Sequence, residues 1–110
     1  MTHALQDAIS LELARRVAAR LRTSSALLEF AQANLSRWSR QNADSPSLLL
    51  CYAEWQVILA RPVDGICDLL CAETEEAQRL RQNSPFAGIL SPAEVWGIKG
   101  ALRRHAATPA

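Results

Sequence analysis

Residues 79–96 read RLRQNSPFAGILSPAEVW, and several local rules of helix chemistry meet within them. A polar helix end, Arg79, Arg81, Gln82 and Asn83, runs into Ser84-Pro85. Proline disfavours helical geometry in the residue before it, so the helix should stop there. Phe86-Ala87-Gly88-Ile89-Leu90 is then a short, largely apolar loop. Ser91 and Glu94 have the spacing of a capping box, with Pro92 at the first helical position. The stretch is predicted to fold as helix, loop, helix.

Toward the C-terminus, Val95, Ile98 and Leu102 form one stripe, with Trp96 about a quarter turn away. Gly97 and Gly100 lie inside this helix and each costs roughly 1 kcal/mol relative to alanine. The helix therefore depends on packing, and the glycines are expected to admit a close neighbouring backbone. The tail from residue 106 is expected to fray.

Toward the N-terminus, Thr74 followed by Glu75 and Glu76 has the chemistry of a helix start, giving a helix of about 74–82. A shorter helix of about 63–71 precedes it, after the Arg61-Pro62 break; one continuous helix over 63–82 is the alternative. Ser45-Pro46 opens a helix of about 46–60. Its Leu48, Leu49, Leu50, Tyr52, Trp55, Ile58 and Leu59 cannot share one stripe, so it is expected in the middle, packed from several directions. Glu54 in that helix is expected either at an exposed edge or paired with an arginine. A helix of about 25–41, with cap candidates Thr23, Ser24 and Ser25, presents Leu27, Leu28, Ala31, Leu35 and Trp38. The first helix, about 4–22, carries Leu5, Ile9, Leu13, Val17 and Leu21. These two helices are expected to pair as an antiparallel hairpin.

The chain is thus predicted as a single all-α domain of five or six helices. Its 110 residues suffice for one core, and 49% hydrophobic with 21% charged residues argues against disorder. The net charge of +1 is unevenly spread. Residues 1–42 hold three acids and six arginines, residues 43–78 seven acids and one arginine, and residues 79–110 one acid and five bases. Such a chain most simply satisfies its own charge on folding; a free basic face for an acidic partner is the alternative. No secretory leader or membrane-spanning run is read, and the cytoplasm is the expected location. Three cysteines, Cys51, Cys67 and Cys71, argue against a disulfide framework and are expected as small buried residues.

The glycines form no phosphate-cradling motif, and the only histidines, His3 and His105, lie at the chain ends. No catalytic residue, metal or cofactor is therefore assigned, and a non-enzymatic protein is expected. The apolar loop Phe86–Leu90 has two readings: it caps the core from its end, or with what flanks it forms the candidate partner-binding surface, with Phe86, Ile89, Leu90 and Trp96 as anchors and Arg79 and Arg81 beside them. The alternative is a helix-turn-helix over 63–82, offering Gln78, Arg79, Arg81 and Gln82 to DNA. Asp64, Asp68, Glu73, Glu75 and Glu76 in the same unit oppose that use. Self-association is left open.

The 79–96 block resembles a block in a family of small, uncharacterised bacterial proteins of about this length. Its pattern there is RLRQ, Ser or Asn, SPFAG, Ile or Val, LSP, any residue, Glu, any residue, Trp. NLSRW (34–38) and YAEW (52–55) resemble the family's other recurring pieces. Val95 stands where those proteins often carry a basic residue. The resemblance implies an accessory or antitoxin-like role beside a toxin-like protein encoded nearby, and implies no chemistry.

Overall fold

The structure is a computed structural model that describes residues 2–107, with side chains from Ala4 onward. It contains α1 (Thr2–Thr23), α2 (Leu27–Gln41), α3 (Pro46–Leu59), α4 (Val63–Leu70), α5 (Glu75–Arg81) and α6 (Pro92–Ala107). No strand occurs among the described residues, so the fold is an all-α globule of six helices. The expected fraying covers residues 106 and 107, which continue α6, and residues 108–110, which lie outside the described part.

α1 is the hub: it packs against α4, α6 and α5. Val17 and Leu21 of the predicted stripe are buried, and Ala14 and Ala18 broaden that face with small side chains. The small face lets α4 come close enough for the Cys67 thiol to donate to the Ala18 carbonyl at 3.5 Å. α3, expected in the middle, packs against α2 and is bonded to α5 through Glu54 and Trp55.

The expected α1–α2 hairpin does not form. The 84–91 segment is bonded to both helices and takes the place each would have had against the other. Arg20 of α1 donates to the Ile89 carbonyl at 3.3 Å and is ion-paired with Glu94. Asn34 of α2 donates to the carbonyls of Pro85 (2.8 Å) and Ala87 (3.2 Å). Gly88 has φ 97°, a left-handed conformation that favours glycine. Its backbone also lies against Phe30, whose ring would meet an added Cβ at 3.3 Å.

Several helix boundaries follow from the caps. Thr74 Oγ1 accepts from the Ala77 N–H at 3.1 Å, so 63–82 is two helices. The Ser91–Glu94 capping box is closed reciprocally, at 3.0 and 3.2 Å. Ser45 makes no side-chain cap bond, and α3 starts on Pro46 alone. α2 is preceded by Ala26 without a side-chain cap. There the backbone carbonyls of Ser24 and Ser25 accept from Leu27 and Leu28, making a hydroxyl cap unnecessary.

Candidate functional site

Residues 34–38, 52–55 and 79–96 meet in space. Asn34, from NLSRW, holds the carbonyls of the SPFAG loop. Glu54 and Trp55, from YAEW, hold α5: Arg79 donates to both Glu54 carboxylate oxygens at 3.1 and 2.8 Å, and Trp55 Nε1 donates to the Leu80 carbonyl at 3.1 Å. The Arg79 hydrogen bonds hold the Glu54 carboxyl below its usual range. The Trp55 ring meets Phe86 edge-on, with centroids 6.3 Å apart. The block is thus a seam that ties α1, α2, α3 and α5 together.

That seam changes the assignment of the predicted partner-binding residues. Phe86 is 2% exposed and Leu90 is buried, so neither projects as an anchor. Burial against Trp55 and the α1 side chains satisfies them within the chain. Ile89 is half-buried. Arg79 is exposed, but its guanidinium is engaged by Glu54. Trp96 alone among the four apolar anchors stands out, at 66% exposure, with the Lys99 ammonium 5.7 Å from its ring centroid.

Arg81 is 8% exposed and belongs to the interior. It donates through Nε to Ser10 Oγ at 3.3 Å, and through Nη1 to the carbonyls of Leu70 (3.1 Å) and Ala72 (2.6 Å). Every one of these acceptors is neutral. Burial pushes its pKa down, as it does for any desolvated cation. Sequence alone could not find this, because the partners lie on α1 and at the α4 end.

The four residues of the DNA-reading alternative do not form one face. Gln82 is exposed, Gln78 is half-buried, Arg79 is ion-paired and Arg81 is interior. α5 has seven residues, and Ala77, Leu80 and Arg81 are buried among them, which leaves too little of it free to enter a groove.

Two further surfaces stand out among the described residues, besides a cavity of about 400 Å³ beside Trp38 and Tyr52. The first is α3's outer side. Leu50 and Val57 are each 68% exposed, one above the other at i and i+7, with Ala53 and Ala60 exposed in the same register. The opposite side, with Tyr52, Trp55 and Leu59, is buried. The second is a groove of about 550 Å³ between α1, α6 and the 84–90 loop. Ile9, Leu13 and Val17 form one wall, Phe86 and Leu90 another, and Arg81, Lys99 and Arg103 supply the charge.

Neither glycine of α6 admits a neighbouring backbone. A Cβ at Gly97 would meet nothing within 4 Å, and at Gly100 only the Arg104 guanidinium. Cys51 and Cys67 are buried free thiols with pKa values raised by that burial, and Cys71 is half-buried. Among the described residues no cluster of three or more potential metal ligands occurs, and no helix is long and apolar enough to cross a membrane. The His3 side chain lies outside the described residues. No family model, curated protein or solved structure matches the chain.

Proposed function

We propose that the protein is a non-enzymatic binding module whose outer α3 face docks against a helix of another protein. One observation carries this: among the large hydrophobic side chains left in solvent, Leu50 and Val57 share one helix face. Scattered exposed apolar residues are ordinary, but an aligned ridge on one helix is the shape that a partner helix accepts. The face is uncharged, with Ala53 and Ala60 in register, and Glu54 at its edge is already neutralised by Arg79. The resemblance to proteins encoded beside toxin-like genes makes the protein encoded next to this one the first partner to test. An antitoxin-like role in the cytoplasm would follow.

The test is co-purification of the neighbour-encoded protein with wild type and with a Leu50→Glu, Val57→Glu variant. Both positions are solvated, so stability should change by no more than about 0.5 kcal/mol per site. The variant should keep its helicity and lose the partner. Undiminished co-purification overturns the proposal. Wild type that sediments as a dimer, with a monomeric variant, would make a second copy of this chain the occupant. Tight binding to duplex DNA at about 50 mM salt, falling steeply as salt rises, would instead restore the DNA-reading alternative.

A further inference from the structure

We propose that the groove between α1, α6 and the 84–90 loop binds an amphipathic carboxylate: an aliphatic chain ending in one anionic group. No α3 residue lines this groove, so the site is independent of the docking face.

The charge of Arg81 is the first ground. A guanidinium this deeply buried ordinarily has a carboxylate partner, because desolvating an unpaired ion costs several kcal/mol. Among the described residues no carboxylate lies within ion-pair distance of Arg81. Asp7 and Glu73 act on it only through space. Its Nη2 makes no hydrogen bond among the described residues, although no buried polar atom there is left unsatisfied. That nitrogen is therefore not sealed from solvent, on a side chain that lines both the groove and a second cavity of about 400 Å³ beside Trp38 and Tyr52. An incoming carboxylate would give Arg81 a short, charge-assisted bond.

The rest of the lining selects the ligand. Lys99 and Arg103 of α6 face the same space, neither is ion-paired among the described residues, and no Asp or Glu lines it. Three cations without an acid favour an anion. The walls are aliphatic and aromatic, which excludes a small hydrophilic anion as the natural fit. A volume of about 550 Å³ lies within the roughly 300–1,000 Å³ range of small-molecule sites. One polar end against a cationic floor, with a tail along Ile9, Leu13 and Phe86, satisfies both halves of the lining.

Dodecanoate and dodecanol are titrated separately into the full chain by calorimetry, below the concentration at which dodecanoate forms micelles. Dodecanoate should saturate one site and bind about ten- to a hundred-fold more tightly than dodecanol, the worth of a hydrogen bond between charged groups. Arg81→Gln should close most of that gap while alcohol binding persists. Arg81 also holds the α4 end, so a second variant, Lys99→Glu with Arg103→Glu, changes charge on α6 without touching those bonds. It should weaken dodecanoate about ten-fold, roughly one charge-assisted contact, and leave dodecanol unchanged. Equal affinity for acid and alcohol, or no saturable binding, overturns the assignment. So does dodecanoate binding that neither variant alters. Saturation by an acidic amphipathic peptide but not by dodecanoate would overturn it too, and make the groove a protein site.

Discussion

Asn34 shows what a single residue does in this fold. One amide nitrogen spans two loop carbonyls, and its oxygen accepts from Arg37. It is buried with all of these bonds made, which fixes the loop's path and delivers Phe86 to the Trp55 ring. Nothing in the sequence near Asn34 announces partners more than fifty positions away, and α2's apolar periodicity gives it no role. Glu54 was easier to anticipate, because a carboxylate on so apolar a helix needs a cation, and Arg79 supplies it. Phe86 is where the two readings of the loop separate. If it is core, Phe86→Ala should cost about 3–5 kcal/mol, a large part of a typical stability of roughly 5–15 kcal/mol. Urea unfolding should then show a much lower midpoint. An unchanged midpoint would mean that the ring is not holding α3 to the loop.

At the scale of elements, the caps at Thr74 and Ser91 were legible, those at Ser45 and 23–25 do not form, and most neighbours were not legible. Thr74 and the Ser91–Glu94 pair form the bonds their spacing implies, because capping is settled within one turn of chain. The α1–α2 pairing failed because a short connection favours adjacency only when nothing competes for the interface, and here the 84–91 loop does. The apolar residues of α3 point in several directions, and the chain covers those that face α2, α5 and the 84–90 loop while leaving Leu50 and Val57 in solvent. α6 buries Ile98 alone and carries a glycine with open space where its Cβ would be. Gly97→Ala should therefore stabilise the protein by about 1 kcal/mol, by removing backbone freedom from the unfolded chain at no steric cost. A raised urea midpoint with unchanged slope is the expected result. A lowered midpoint would show that the position needs glycine.

At the scale of the molecule, the Cα radius of gyration is 14.6 Å, against about 13 Å expected for a compact domain of this length. The excess agrees with an open groove beside α1 and a helix, α3, with one side in solvent. The all-α class was legible from composition and helix signals. The site was not, because exposure depends on which apolar residues find partners across the fold. Phe86 and Leu90 found them; Leu50 and Val57 did not. The proposed division assigns residues 79–96 to holding the helices together and the outer α3 face to meeting a partner. Amide hydrogen exchange of the full chain, with and without the neighbour-encoded protein, tests that division most directly. The account predicts new protection within residues 46–60, with 79–96 exchanging as before. Protection centred on 84–96, with 46–60 unchanged, would contradict it.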